Sequence, residues 1–511
     1  MTLVVLACVA LGAGLATVLV AGTSRAAALA IGLIGSLVVL GIALAMPAEE
    51  SLVVGGVGVI VTPLVRAMAV AWSAGLAVLG LLELAVGGRP TVVGPSLIGL
   101  AVAAMALATR DAASSIAALA AGGVATMVVP GLYGWLDGPA SPSRLATPSR
   151  VTRAVVGSAL VGLAVIAWGA SPVGPLGGAA FLGFDPEGRL ALGIALVTIV
   201  AAVAIRCGLI PLHVWPARFM EGVSPLAIPA AFAWGSAAFV LTALDWSQVA
   251  LGPTAAGDAE RLLIIGLGLF SVVLGGLAAM LHDDIEHVLG YSIVSDAGVA
   301  VLAFASLEPA AAAAARDWLV ASAMVKTALA AWAAVVRATY GGHRLAELGG
   351  WARHSPALGL AFAAILVAAI GLPGMALFDA RLALISGSLP GLGTIIAFAV
   401  TAMPAIYLGR IALAGLAPVS AAIAGGPAGR PSWTGGRAEG WSEGPRLQAI
   451  RAVPVELRAN RAPLMALGVV ILAAMALVTA IGGAGGAASM PSEAGGGQSA
   501  GASTQRSISR S

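Results

Sequence analysis

Lysine is almost missing from this chain. Among 511 residues there are 25 arginines and a single lysine, Lys326, and charged residues of all kinds make up 10%. So little charge, set against 59% hydrophobic residues and a mean hydropathy of +1.01, excludes a soluble domain, which could not hide that much apolar surface. Cysteine is scarce as well. Cys8 and Cys207 lie in different apolar segments without metal-ligand spacing, which excludes a zinc site or a cysteine-held iron–sulfur cluster within the chain. The basic residues are scattered arginines rather than clustered patches, which argues against nucleic-acid binding despite a net charge of +3. No basic residue precedes the first apolar stretch, residues 2–22, and that stretch is longer than a signal-peptide core. It reads as a retained first span. Nucleotide-binding, flavin and quinone fingerprints are missing too, so no cofactor is expected in this chain and catalysis within it is not.

What is present is a series of apolar segments of roughly 17 to 25 residues. They predict an all-α polytopic membrane protein of about fourteen transmembrane helices. Residues 1–416 form the main bundle in this reading, and 462–483 the last helix. Between them, 417–461 is an arginine-rich Gly/Pro loop whose part 446–461 has the character of a short basic amphipathic helix. Residues 484–511 are Gly/Ala/Ser-rich and read as a disordered tail. Loop charges support the count. Arg25, Arg89, Arg144, Arg150, Arg153, Arg218, Arg337, Arg344 and Arg353 fall on one side, together with the arginines of the long loop. The opposite loops carry few basic residues and hold Glu49, Glu50, Asp185, Glu187, Asp258 and Glu260. The positive-inside rule then puts both termini outside and the arginine-rich loop in the cytoplasm.

Lys326 lies in the eleventh predicted span, in an uncharged stretch from position 318 to 336. Helical rise puts it roughly 12 to 15 Å from either end, farther than a lysine stem can snorkel. Ionisable groups at that depth usually line a polar path inside a bundle. Lysine can shed its proton when desolvated, whereas arginine in practice cannot. The bland explanation is composition, since a few arginines also fall within spans.

Two spans carry helix breakers beside charges. The seventh reads A-I-R-C-G-L-I-P-L-H-V-W, with Arg206 ahead of Pro211 and His213 just after it. The twelfth reads I-G-L-P-G-M-A-L-F-D-A-R, with Pro373 and Gly374 ahead of Asp379 and Arg381. Broken helices survive in membranes where polar groups or water satisfy the freed carbonyls, often on ion paths, and a pair of them suggests a repeat-built transporter. Prolines are common in membrane helices in any case, but that does not account for the charges beside them.

These residues carry a resemblance. The run 206–225, R-C-G-L-I-P-L-H-V-W-P-A-R-F-M-E-G-V-S-P, resembles the K-x-G-x-x-P-F-H-x-W-x-P-D-A-x-x-G-x-x-(T/S)-P signature of antiporter-like subunits. Those subunits occur in respiratory complex I, in Mrp-type cation/proton antiporters and in membrane-bound hydrogenases. Residues 284–298, D-I-E-H-V-L-G-Y-S-I-V-S-D-A-G, are similar to that family's K-R-x-L-A-Y-S-S-I-S-H-x-G stretch. M-V-K-T-A at 324–328 is similar to its F-K-A segment, and 371–381 to G-I-P-P-x-x-G-F-x-G-K. The likeness runs in order from about residue 109 to 386.

The resemblance implies a membrane subunit of a complex I-like NADH:quinone oxidoreductase, or of a related redox-driven complex, that takes part in proton or cation translocation. It implies partner subunits, the lipid bilayer, and the plasma (inner) membrane of a prokaryote. The alternative is a degenerate, non-conducting structural or assembly subunit, because the departures are many. The family's row of buried lysines, gated by a fifth-helix glutamate, here meets Arg206 and Arg381 in the seventh and twelfth helices. The eighth-helix lysine position falls near Gly235, and the glutamate position near Ala120. Only Lys326 keeps its type, and Asp296 stands where the family often has histidine. Lys326, Asp296, Glu83 in the third span and His213 are therefore the proton-path candidates. Arg206 and Arg381 are expected to fix charge at the breaks, with Asp379 paired to a neighbouring charge. For His213, a switch near neutral pH and a hydrogen bond to a freed carbonyl both stay open.

Overall fold

Hydrocarbon offers the backbone no hydrogen-bond partners, so a chain this apolar has to satisfy its N–H and C=O groups within each segment. The computed structural model shows that outcome. It describes residues 1–47, 49–54, 56–86, 92–109, 132, 147–170, 186–213, 216, 223–252, 255–340, 344–389, 391–418 and 455–483. The predicted fifth span with Ala120, nearly all of the arginine-rich loop and the tail 484–511 lie outside the described residues. Among those described, ten helices are long and apolar enough to cross a membrane. That agrees with a polytopic protein.

Helices α1 (Thr2–Val20) and α2 (Arg25–Ala45) form a tight pair, the second started by Ser24, whose hydroxyl accepts from the Ala27 N–H. A short hairpin follows, β1 (Ser51–Val54) against β2 (Val57–Ile60), with Gly56 at φ +85° in its turn. The expectation of an all-α chain missed it. Its signal is V-V-G-G-V, apolar runs flanking a Gly-Gly pair. Then come α3 (Pro63–Val86), α4 (Val93–Ala108), α5 (Thr147–Ala170) and α6 (Pro186–Cys207). A 3-10 turn at Pro225–Ala227 and a π-turn at Pro229–Trp234 lead into α7 (Gly235–Ala250).

Helices α8 (Asp258–Leu281) and α9 (Ile285–Val301) pack backbone to backbone. A Cβ on Gly268 would stand 2.8 Å from the Gly298 carbonyl oxygen, and one on Gly298 2.7 Å from that of Gly268. Small residues at such a crossing let two membrane helices approach without a side-chain layer between them. Helix α10 (Pro309–Tyr340) is 32 residues long and its membrane-length window is entirely buried. It is the axis of the bundle, touched by α3, α9, α7 and the later helices α12 and α15.

The predicted twelfth span divides into α11 (Pro356–Ile370) and α12 (Ala376–Ser388), with the break at 371–375. Helices α13 (Leu392–Thr401), α14 (Pro404–Leu416) and α15 (Val455–Gly482) complete the described chain. Helix α15 begins seven residues before the predicted last span and runs through Pro463. The seventh-span break also moves. Helix α6 ends at Cys207 because Gly208 takes a left-handed φ of +68°, a conformation that ends helices, so the chain turns before it reaches Pro211.

Candidate functional site

Lys326 sits midway along the innermost helix, and its charge is met directly. Its Nζ lies 2.9 Å from Oδ2 of Asp296 on the neighbouring α9, with the lysine side chain almost wholly enclosed. Buried charges persist only when paired and hydrogen-bonded, and a charge-assisted bond of this length is among the stronger ones. Sequence reading singled out both residues without joining them. Two positions thirty residues apart, on helices linked by a turn, give no spacing from which to read a contact.

Arg381 on α12 is the second cation. Its Nη1 donates to the Thr401 carbonyl at 3.2 Å and its Nη2 reaches the Gly371 carbonyl at 3.5 Å, so it returns to the very break that precedes it. The guanidinium lies over the Phe398 ring, 4.7 Å from its centroid. Arg381 and Asp296 are close enough that each feels the other's charge. The buried Tyr407 hydroxyl of α14 approaches Ser292 and faces Asp296 as well. Four helices thus converge on one carboxylate. With every group ionised the cluster of Asp296, Lys326 and Arg381 holds one negative and two positive charges. Arginine keeps its proton, so the count changes only through lysine or aspartate.

Asp379 does not join this cluster. Residues two apart on a helix point to opposite sides, and Asp379 is exposed with no ion pair among the described residues. The expected pairing with a neighbouring charge is corrected accordingly. Pro373 and Gly374 are exposed in the break, where Gly374 has φ +89°.

Arg206 follows a different logic. Its Nη2 donates to the Ala231 carbonyl at 2.9 Å and its Nη1 to the Ser236 hydroxyl at 3.2 Å, so it serves the π-turn before α7 rather than the break in its own segment. A π-turn is one residue wider per bond and offers such carbonyls outward. Gly235 makes room: a Cβ there would lie 2.7 Å from Arg206 Nη2. The guanidinium occupies the space of the missing side chain. Trp234, at the end of the same π-turn, stacks on Trp72 with 5.7 Å between ring centroids. Its indole N–H donates to Thr327 Oγ1 at 2.9 Å.

Glu83 is placed elsewhere, near the end of α3. It is buried, and its Oε1 accepts from the Val92 N–H at 2.9 Å, where α4 starts. His213 is half-buried with an Nδ1 that has no hydrogen-bond partner among the described residues, so that nitrogen meets no freed carbonyl. Its ring lies 6.3 Å from Tyr291. Tyr291 in turn stacks on His282 at 5.0 Å, and His282 on His287 at 5.0 Å. Sequence reading passed over His282 and His287, though three of the chain's five histidines sit in this row.

Comparison with known proteins matches part of the chain to a family and most of it to known folds. Residues 185–404 match the family described as NADH:quinone oxidoreductase/Mrp antiporter, TM. NADH-quinone oxidoreductase subunit N of Cereibacter sphaeroides is 31% identical over 204 residues, 39% of this chain and 43% of that one. NAD(P)H-quinone oxidoreductase subunit 2 of Picosynechococcus sp. is 27% identical over 232 residues, 44% of each chain. The matched part spans less than half the length of these relatives. The fold likeness reaches further. A chain of respiratory complex I from Thermus thermophilus superposes with a TM-score of 0.65 at 18% identity, covering 94% of this chain and 99% of that one. A chain of the Mrp complex from Dietzia sp. gives 0.63 at 20% identity, covering 94% and 52%. The two broken segments, Arg206, Asp296, Lys326 and Arg381 all lie inside the residues that match this family.

Proposed function

We propose that the chain is a membrane subunit of a complex I-like NADH:quinone oxidoreductase, or of a related redox-driven complex, and takes part in proton translocation. The observation that carries this reading is the Lys326–Asp296 pair, held 2.9 Å apart at the centre of the bundle with Arg381 beside it. A proton can pass between Nζ and Oδ2 over that distance. Arg381 supplies a positive charge that does not titrate, so it offsets Asp296 whenever Lys326 is neutral. The net charge of the site then alternates between neutral and singly positive. Glu83 serves the α3–α4 turn in this reading, and electron transfer belongs to partner subunits. About fourteen helices, both termini outside and residues 417–461 in the cytoplasm complete the proposal, supported by the loop arginines. Cysteine labelling from either side of the membrane at a serine of the 417–461 loop checks the orientation, and reaction only from outside would reverse it.

A second reading, a structural subunit that does not conduct, draws support from one place. Arg206 cannot relay a proton, and the Trp234 indole that bonds Thr327 beside Lys326 is a donor only. Proton translocation by the parent complex in liposomes decides between the two. Lys326→Ala and Asp296→Asn are each expected to lower coupled translocation on the order of a hundredfold, the scale of a lost positioned proton-transfer group. Full coupling in both variants would leave only the structural reading.

A further inference from the structure

A conducting Lys326–Asp296 pair has to be fed from water. Helix α9 begins beside the turn that joins it to α8, and that turn carries His282 and Asp283, the latter with its side chain mostly exposed. His287 lies on the first turns of α9, Tyr291 one turn further and Ser292 next to it. Asp296 follows four residues after Ser292, so the helix that opens at this turn also carries the buried carboxylate. The distance from His287 to Asp296 along the axis is about 13 Å at helical rise.

From these placements we propose that the stacked rings of His282 and His287, flanked by Tyr291 and His213, form the port that collects protons for the Asp296–Lys326 pair. The proposal rests on the conducting reading above. His282 and His287 are nearly parallel, with 5.0 Å between centroids and 16° between planes. Two imidazolium charges so close repel one another, so protonation of one ring disfavours protonation of the other.

The charged groups facing this row are already engaged. Asp283 pairs with Arg410 of α14, and Glu286 with Arg337 of α10. Asp284 caps α9 by accepting from the Glu286 N–H at 2.8 Å, and its carboxylate lies 3.7 Å from His287 Nδ1. Arg344 meets Asp284 in an isolated backbone bridge. Asp283 and Glu286 are matched by arginines, whose charge is fixed. Partial burial first, and then His287, hold His282 below the ordinary histidine range, while Asp284 and Asp283 pull the other way. A histidine held so is neutral and ready to accept. Tyr291, stacked at 5.0 Å on His282, precedes in the chain Ser292, whose side chain the Tyr407 hydroxyl approaches.

Two measurements on the full-length chain test this, and they separate the port from the conducting reading. Histidine-labelled protein in nanodiscs, followed by NMR across the neutral range, is expected to show His282 and His287 titrating in two coupled steps, with His287→Gln returning His282 toward ordinary behaviour. Independent titration of both rings in the wild type overturns the port. In liposomes under an imposed potential, the double variant His282→Gln/His287→Gln is expected to lose about tenfold of its proton uptake at about pH 7.5 and to regain it as the pH falls, because bulk proton supply then suffices. Added imidazole, a mobile proton carrier, is expected to rescue the same variant. Lys326→Ala is expected to be inactive at every pH and beyond rescue. Normal uptake by the double variant beside an inactive Lys326→Ala overturns the port and leaves the conducting reading standing. Equal uptake by wild type and Lys326→Ala removes the conducting reading and, with it, the port's role as a feeder.

Discussion

Lys326→Met lowers the stability of the folded chain by about 3 to 5 kcal/mol, the usual cost of breaking a buried ion pair from one side. The substitution keeps the stem's packing in α10 and removes only the ammonium. Asp296 is then left enclosed with its closest cation gone. Arg381 does not replace it, because its guanidinium is committed to the Thr401 and Gly371 carbonyls and to the face of Phe398. The double variant Lys326→Met/Asp296→Leu recovers most of the loss, since an apolar pair of similar volume often equals or exceeds the stability of the ions it replaces. Chemical or thermal unfolding in one detergent, run on the wild type, both single variants and the double, gives the coupling directly. Additive effects would mean that the pair at 2.9 Å contributes nothing specific to the fold. The prediction also separates stability from transport: the double variant is expected to be well folded and inactive, a combination that unfolding alone does not produce.

How much of this was legible beforehand follows the range of each signal. Apolar runs are local, so most helices could be read to within a few residues, as at 225–244 against the observed Pro225–Ala250. The twelfth-span break was legible because Pro373 and Gly374 interrupt an apolar run. The seventh was misplaced by four residues: proline drew the eye, while the glycine at 208, with its left-handed φ, ended the helix first. The β-hairpin was missed because a Gly-Gly turn inside a valine run resembles a weak span. Long-range facts were illegible for a plain reason. Lys326 and Asp296 were both recognisable as costly charges, yet nothing in a sequence states that one neutralises the other. The same holds for Tyr407 and for the His282–His287 stack, whose members are ordinary until a helical turn brings their rings together. Asp379 failed in the opposite way, since proximity in sequence to Arg381 suggested a pairing that helix geometry forbids.

Gly235→Ala is expected to cost about 3 kcal/mol, far more than an alanine normally costs in a helix, where it is the favoured residue. The added carbon would stand 2.7 Å from Arg206 Nη2 and 3.0 Å from the Ala230 carbonyl oxygen. The first contact ends a flexible side chain, so the guanidinium can retreat, but only by giving up bonds. Those are the bonds to the Ala231 carbonyl and the Ser236 hydroxyl, each charge-assisted and worth roughly 1.5 to 3 kcal/mol. The second contact is backbone and has to be absorbed by the π-turn, which is itself what presents Ala231 to Arg206. A single methyl group therefore acts on the turn and on the charge together. Arg206→Met in the Gly235→Ala background is expected to be less harmful than the sum of the two single changes, because the displaced cation no longer has to be accommodated. Unfolding curves for the four proteins measure that difference, and a Gly235→Ala protein as stable as wild type would show that the guanidinium does not need the space. The outcome bears on transport as well. If Arg206 is a fixed charge seated where the family's eighth-helix lysine position falls, moving it should change the field around the bundle's centre while leaving the Lys326–Asp296 pair intact, so the Gly235→Ala protein should retain proton uptake at a reduced rate rather than lose it.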